Sequence, residues 1–309
     1  MIDNARIYWD ESLRAIRRAL PEKTPRAQTG VDAKAEPRES SAFVLLGGGS
    51  HGAAQAGALS ELVAQGITPD IVIGVSAGSW NGAFWTLNPS AMRARVLEAI
   101  WASANSRELL GTVPWRAAIT AVTNHGAIYD NDGMRKFAER HLGALTFADT
   151  RIPLRILSVN VSRGLPALLH TGPLLDAVLA SSAIPGIFPP VEISGDRYVD
   201  GGLMEEAACD AAVAYGATTI YVVSCGSMTK RVEKIDTMTN LLNRSLEVNG
   251  HFRFLRMVDE LRRRNIKAVA IHPEIPFYSA LDFDRSSELI QAGHMAARAA
   301  LAEMDAIAQ

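Results

Sequence analysis

The 309-residue chain has few cysteines and no excess of charge of either sign. Its two cysteines, Cys209 and Cys225, are too few for a disulfide-stapled scaffold, and their spacing fits no metal or redox motif, which favours two buried thiols. Lys and Arg number 31 against 33 Asp and Glu, so the chain is not a generally basic nucleic-acid binder, and we expect no nucleic-acid partner. With 48% hydrophobic and 21% charged residues, the composition also excludes a disordered chain.

Long hydrophobic runs are missing as well. The longest apolar runs stop well short of the ~20 residues that a membrane-spanning helix needs. The first four residues lack the basic-then-apolar pattern of an export signal. These absences predict a cytoplasmic protein, with peripheral membrane contact kept as an alternative.

The N-terminal residues differ from the rest of the chain in their pattern of apolar and polar side chains. Apolar side chains recur at helical spacing at Trp9, Leu13, Ile16 and Leu20, before Pro21 and a polar stretch. Residues 1–41 are therefore predicted to form a helix and a polar linker. Because charges of both signs are interleaved in that helix, we expect it to dock on its own domain rather than on a membrane. No second linker follows, so residues 42–309 are predicted to form one domain.

From residue 42 onward, short apolar runs alternate with helical patterns. Strands are predicted at 42–46, 70–73, 154–161, 167–170, 219–224 and 268–271. Helices are predicted at 53–65, from 76 onward, and at 91–104, 132–141, 235–264 and 286–307. Such alternation is typical of the α/β class, with a mostly parallel central sheet and helices on both faces.

Glycine is what the chain has in slight excess, 24 residues, and the first cluster lies between a predicted strand and a helix. Gly47, Gly48 and Gly49 begin this turn and Gly52 ends it. Backbone N–H groups can converge on an anion in such a turn, and the helix N-terminus adds its dipole. A dinucleotide-binding turn also looks like this, but it needs an acid at the end of the second strand, whereas Asp70 begins that strand.

The second cluster is the G-x-S-x-G pattern of Gly74, Ser76 and Gly78, again between a strand and a helix. This is the pattern of a nucleophile elbow, in which a serine occupies a strained turn and its hydroxyl projects alone. A simple serine N-cap is the structural alternative. If the two strands are parallel neighbours, the amides of the first cluster lie beside Ser76, where they could hold the oxyanion of an acyl-transfer intermediate.

A serine nucleophile needs a base, and the sequence offers two kinds. A Ser-His-Asp triad remains open, but His51 lies in the glycine loop itself and the histidines after Ser76 stand in no companion motif; these are His125, His141, His170, His251, His272 and His294. The other candidate is Asp200, because a carboxylate can accept the proton directly and Gly201 and Gly202 would let its loop approach closely. Taken alone, Asp-Gly-Gly is also a common turn.

Together these three clusters resemble the patatin-like phospholipase family, and so does the run at residues 180–191 ahead of Asp200. The resemblance implies a three-layer α/β sandwich and a Ser76–Asp200 dyad. It also implies an oxyanion hole formed by Gly47, Gly48 and Gly49, with no metal and no cofactor. By the same resemblance, residues 42–309 are the acyl hydrolase domain, and its substrate is a phospholipid or another acyl ester.

The chain departs from the family pattern at two places. The glycine loop carries His51 where the family usually has Arg or Lys, and Glu205–Glu206 stand where an Asn-x-Pro element usually follows the aspartate loop. The first departure bears on the charge of the anion site and the second on how the Asp200 loop is anchored. Neither removes a dyad member.

Two features bear on the substrate. Aromatic residues follow the elbow and suit either a core or an acyl pocket: Trp80, Phe84, Trp85, Trp101 and Trp115. An arginine-rich stretch suits either a solvated face or contact with an anionic membrane: Arg253, Arg256, Arg262, Arg263 and Arg264. The same elbow would serve an acyltransferase, and a non-enzymatic ligand-binding module is the third alternative.

Overall fold

The computed structural model describes residues 39–111, 127–227, 235–236, 238–275 and 279–308. The helix predicted at residues 9–20, most of the predicted linker, Trp115 and His125 lie outside these ranges. None of the helices in these ranges combines the length and the apolar composition that spanning a bilayer requires.

Eight strands of the described chain form one sheet. They are β1 (Ser41–Leu45), β2 (Ile71–Val75), β3 (Leu154–Asn160), β4 (Leu165–Leu169), β5 (Val191–Ile193), β6 (Asp196–Asp200), β7 (Thr219–Val223) and β8 (Lys267–Ile271). Their order is β5-β6-β3-β2-β1-β7-β8, with β4 paired to β3. The five strands from β3 to β8 along this path are parallel, whereas β4, β5 and β6 add antiparallel pairs at one side. The predicted mostly parallel α/β fold is confirmed.

Nine α-helices connect and cover these strands in the described chain. They are α1 (Gly52–Ala64), α2 (Ala77–Thr86), α3 (Ala91–Ser103), α4 (Ser106–Leu110), α5 (Asp132–Leu142), α6 (Leu174–Ser181), α7 (Glu206–Ala214), α8 (Met238–Arg263) and α9 (Ser286–Ala308). The sequence patterns predicted six of them but not α4, α6 or α7, which are short. The hairpin of β5 and β6 was also not predicted, because its few residues are partly exposed and show no long apolar run.

The sheet divides the core into two layers because neighbouring side chains of a strand point to opposite faces. Phe43 and Leu45 pack with α1, α2, α3 and α9, whereas Ala42 and Val44 pack with α7 and α8. Both cysteines are buried free thiols, as predicted. Since β1 and β2 are central and parallel, the turns that follow them lie side by side at one edge of the sheet.

Candidate active site

The turn between β2 and α2 holds Ser76 in a strained backbone conformation. Its φ is 51° and its ψ is −119°, and a positive φ is uncommon for a residue with a side chain. The glycines of the motif are sterically required: a Cβ at Gly78 would lie 2.0 Å from the carbonyl oxygen of Leu45, and one at Gly74 would lie 2.6 Å from that of Gly78. The turn is therefore pressed against β1.

A buried serine of α6 supports this turn. The Ser76 N–H donates to Ser181 Oγ at 2.8 Å, and that hydroxyl donates to the Leu157 carbonyl at 2.6 Å. Ser181 was not a predicted site residue, although it lies in the 180–191 run that carries the family resemblance. Its bond occupies the Ser76 amide and ties the strained turn to β3.

Asp200 ends β6, which pairs antiparallel with β3 and thereby reaches the elbow. Ser76 Oγ donates to Asp200 Oδ2 at 2.7 Å, and the Gly202 N–H donates to Oδ1 at 2.7 Å. Gly201 lets the loop lie against β3, because a Cβ there would be 2.2 Å from the Leu157 oxygen. Burial raises the pKa of Asp200 to about 6, and the two hydrogen bonds oppose that rise. The carboxylate is thus mostly ionised at pH 7 and more basic than an exposed one.

The glycine loop after β1 lies against the elbow, with the position of a Cβ on Gly47 only 3.1 Å from Ser76 Cβ. A Cβ on Gly48 would be 2.4 Å from that of Cys225. Gly49 has a φ of 58°, and a Cβ there would be 2.2 Å from the Ala280 oxygen. A side chain is therefore excluded at Gly48 and Gly49 and would fit only tightly at Gly47, and a Cβ on Gly52 would also collide, at 2.7 Å from the Trp101 ring.

The amides of this loop differ in their hydrogen bonds. The Gly47 N–H donates to Glu205 Oε1 at 2.5 Å. Within the described ranges, the N–H groups of Gly48 and Gly49 have no protein acceptor. The oxyanion hole of Gly47, Gly48 and Gly49 stays a prediction; in this arrangement a carboxylate of the protein already accepts from Gly47, which leaves the amides of Gly48 and Gly49 for it.

Glu205 is a buried acid that the sequence marked only as a departure from the family pattern. Burial raises its pKa to about 7. That value already includes the Gly47 N–H and Arg253, which oppose the effect of burial, and the smaller upward contributions of the Asp200 and Glu206 carboxylates. The signal available in the sequence was the pair of acids after the aspartate loop. Nothing local in the sequence indicated that one of them reaches the glycine loop.

Arg253 corrects the prediction for the arginine-rich stretch. Its side chain is 11% exposed and turns inward from α8, where it forms two 2.9 Å hydrogen bonds with Glu206 and donates to the Gly202 carbonyl at 2.7 Å. Arg263 and Arg264 lie outside but pair with acids, namely Asp259, Glu260 and Asp210. Of the five arginines, only Arg256 and Arg262 are exposed with no ion pair among the described residues.

Two pockets meet at Ser76 and Gly49. The first, of about 70 Å³, is lined mostly by apolar side chains of α2, α3, α4 and α5, including Trp80, Phe84, Trp101, Phe137 and Leu142. Trp85 is instead fully buried in the core. His141 also lines this pocket, and burial lowers its pKa, with Arg140 and Arg93 adding to the shift and Glu108 opposing it.

The second pocket, here called the polar pocket, is larger, about 260 Å³, and several polar side chains stand among its largely apolar lining. They include Asp200, Glu205, Arg253, His251 and His272. Burial lowers the pKa of His272 to about 4, and His251 contributes to that shift. Ser227 Oγ lies within 3.0 Å of a ring nitrogen of each histidine.

The alternatives left open by the sequence can now be compared with the geometry. Among the described residues, Ser76 Oγ hydrogen-bonds to Asp200, and no histidine hydrogen-bonds to Ser76 or to Asp200. Asp70 accepts from the Ser41 N–H at the opposite end of the strands, so it cannot hold a ribose beside the glycine loop. No group of three or more His, Cys, Asp or Glu residues in the described ranges is arranged to hold a metal ion.

Comparisons with known proteins agree on the family. The family model described as patatin-like phospholipase matches residues 43–213. The chain is 25% identical over 275 residues to Lysophospholipase NTE1 of Pyricularia oryzae, covering 83% of this chain and 18% of that protein. It is 24% identical over 279 residues to mouse patatin-like phospholipase domain-containing protein 7, covering 83% and 20%. The chain thus spans about a fifth of the length of these relatives.

Solved structures are more distant. VipD from Legionella pneumophila aligns at a TM-score of 0.45 and 12% identity, covering 86% of this chain and 67% of that one. The type III effector protein ExoU aligns at 0.38 and 13%, covering 86% and 54%. The match of the family model to more than half of the sequence carries the assignment: this chain belongs to the patatin-like phospholipase family.

Proposed function

We propose that the chain is a serine lipid acyl hydrolase that uses Ser76 as nucleophile and Asp200 as base. The observation that carries the proposal is the 2.7 Å hydrogen bond from Ser76 Oγ to Asp200 Oδ2, made at a strained turn. A hydroxyl bonded to a buried carboxylate is in position to lose its proton as it attacks. The second oxygen of Asp200 is bonded to the Gly202 N–H, which keeps the carboxylate aligned.

The proposed reaction has two halves. Asp200 accepts the Ser76 proton as Oγ bonds to the ester carbonyl carbon, and the free N–H groups of Gly48 and Gly49 stabilise the oxyanion. The protonated Asp200 then donates to the leaving alcohol, and the acyl group stays on Ser76. Water, deprotonated by the same carboxylate, attacks the acyl-enzyme and releases the acid.

The pockets suggest how an ester would lie. The apolar pocket suits the acyl chain, because burying each methylene contributes about 0.8 kcal/mol, and the polar pocket suits the alcohol. Phospholipids and other acyl esters are the proposed substrates. Since several relatives are named lysophospholipases, single-chain lipids come first among them. Peripheral contact with anionic membrane is also proposed, through the exposed Arg256 and Arg262 rather than the whole arginine-rich stretch.

The test compares the unaltered chain with Ser76→Ala and Asp200→Asn. Fatty-acid release is measured from p-nitrophenyl esters, lysophospholipid and phospholipid vesicles, and Ser76 is also titrated with a fluorophosphonate probe. We expect each substitution to lower kcat by about 10³-fold or more, with labelling lost in Ser76→Ala. Equal turnover in all three proteins would exclude the dyad. Adding an alcohol acceptor would reveal transfer as acyl ester formed in place of free acid.

A further inference from the structure

A buried cluster joins the two loops that hold the proposed catalytic groups. On the glycine loop, the Gly47 N–H donates to Glu205 Oε1 at 2.5 Å. Glu205 Oε2 lies 4.0 Å from Arg253 Nη2, and Arg253 Nη1 donates to the Gly202 carbonyl at 2.7 Å. A continuous set of contacts therefore runs from the glycine loop to the loop of Asp200.

The side chains of Glu205 and Arg253 are 10% and 11% exposed, so both charged groups are largely removed from water. Burying a charge is costly unless hydrogen bonds compensate. Arg253 gains most of its compensation from Glu206, through two hydrogen bonds of 2.9 Å. The closest partner of Glu205 is instead the Gly47 peptide, so the acid is placed to hold that peptide more than to neutralise Arg253.

Three consecutive glycines make an inherently mobile backbone. The loop is anchored at its ends, where the Leu46 N–H donates to Val223 and the Ser50 N–H donates to Ala280. Between these anchors, and within the described chain, the side chain that hydrogen-bonds to the backbone of Gly47, Gly48 or Gly49 is that of Glu205. An oxyanion hole works only if its donors are already aligned before the reaction.

We infer that Glu205 is a positioning residue, whose carboxylate holds the Gly47 peptide so that the next two amides are presented to the ester oxygen. The inference rests on the proposed function, and it assigns Glu205 no proton transfer, since it makes no recorded hydrogen bond with Ser76. Arg253 keeps this carboxylate in place and ties it to the Asp200 loop.

The decisive variants are Glu205→Ala and Glu205→Gln. Alanine removes the acceptor of the Gly47 N–H, and we expect kcat to fall about 10- to 100-fold with KM within threefold, somewhat less than the loss of a whole oxyanion donor. Glutamine keeps an oxygen acceptor of the same reach, so kcat stays within about fivefold. The matched control is Glu61→Ala at the far end of α1, whose carboxylate is 9% exposed and ion-paired with Arg298, and which should leave kcat within twofold.

The pH profile separates positioning from simple structural support. The charged groups around Glu205 are Asp200 at the end of β6, Glu206 on α7 and Arg253 on α8. With pKa values of about 7 for Glu205 and about 6 for Asp200, activity should fall as each acid is protonated on lowering the pH. A protonated Glu205 still offers an acceptor oxygen, as Gln does, so the limb near pH 7 should be no deeper than the fivefold loss allowed for Glu205→Gln. That variant should lose this shallow limb and keep the deeper one near pH 6.

The rate at which a fluorophosphonate labels Ser76 shows whether the role of Glu205 fails alone or the proposed function fails with it. This rate reports on the oxyanion site, because the phosphonyl oxygen occupies that position. We expect Glu205→Ala to slow labelling by about the same factor as kcat. Three results would each overturn the inference while leaving the proposed function intact. They are a Glu205→Ala variant whose labelling rate and kcat stay within twofold of those of the unaltered chain, an equal fall in kcat for Glu205→Gln and Glu205→Ala, and a limb near pH 7 that persists in Glu205→Gln. Absence of Ser76-dependent labelling in the unaltered chain would overturn it together with the proposed function.

Discussion

The two pockets that meet at Ser76 differ in the origin and the chemistry of their walls. The apolar pocket is formed by helices α2 to α5, which pack on one face of the sheet, and its side chains belong to the same apolar cluster as the core. The polar pocket is formed by loops at the ends of strands together with α8. One pocket is therefore an extension of the hydrophobic core, whereas the other adds hydrogen-bonded polar and charged groups to an apolar lining.

This difference separates two physical tasks. Apolar walls contribute binding that grows with the area of the chain they cover and is insensitive to its orientation. Polar walls contribute little net binding but hold reacting atoms and charges in fixed directions. Ser76, the proposed nucleophile, lies on the boundary, where it could use one pocket for affinity and the other for alignment.

The largest of the remaining effects is expected from filling the apolar pocket. Ala104 lines it at the end of α3, and Ala104→Phe would shorten the space available to a chain. We expect kcat/KM for dodecanoyl esters to fall tenfold or more relative to butanoyl esters, because two methylenes left in water already cost about 1.6 kcal/mol.

The control is Ala102→Phe, on the exposed side of the same helix. It should leave the ratio of long-chain to short-chain activity unchanged. If Ala104→Phe lowers kcat/KM equally for both esters, the acyl chain does not occupy this pocket and the comparison between the two pockets fails.

A second prediction concerns the free energy of folding that is lost by burying the Asp200 carboxylate in the polar pocket. The pKa of Asp200 is raised to about 6 in the folded chain, above the ordinary 3.8 of an unfolded one. The folded state then binds the proton more tightly, so the stability that this group contributes at acid pH is lost as the pH rises through 6. Asp200→Asn has no charge to bury, and its free energy of unfolding should gain about 2 kcal/mol relative to that of the unaltered chain between pH 4 and pH 7.5.

This gain can be measured by urea unfolding at the two pH values, with pH 4 as the internal reference. If the free energy of unfolding depends on pH in the same way for both proteins, burial does not raise the pKa of Asp200. The variant should be the more stable protein at neutral pH and at the same time the inactive one.

The smallest expected effect concerns charge outside both pockets. Arg253, Arg263 and Arg264 are held by acids of the chain, which leaves Arg256 and Arg262 for anionic lipid. Each such residue near a charged surface contributes roughly 1 kcal/mol. We expect vesicles containing anionic lipid to raise turnover two- to fivefold over neutral ones, and the double variant Arg256→Gln and Arg262→Gln to abolish the difference.

Arg263→Gln is the matched control for this measurement, because its guanidinium already pairs with Asp259 and Glu260. It should retain the response to anionic vesicles. Equal turnover on both vesicle types in the unaltered chain would contradict the membrane contact through these arginines.

The fold and the position of the strained serine were predictable from local sequence. Glycines at 74 and 78 allow the close approach to β1, and the apolar run of each central strand gives its alternating contacts with both helical layers. Short elements such as α7 and the β5–β6 hairpin were missed, because their residues carry no periodic apolar signal strong enough to predict them.

The positions of Glu205 and Arg253 could not be predicted in the same way. Glu205 bonds to a glycine 158 residues earlier, and Arg253 bonds to a carbonyl 51 residues earlier. The helical pattern of α8 shows that one face is apolar, but it does not show that the arginine beside this face enters a pocket.

By itself the sequence determined the fold class and the turns after β1 and β2, and it marked a serine between glycines as the candidate nucleophile, since these depend on residues close together in the chain. Which amides remain free, which acids are buried and which arginine turns inward were decided only by the tertiary structure. Burial, pKa and hydrogen-bond partners depend on contacts between distant segments, and those contacts exist only once the sheet and its two helical layers have formed.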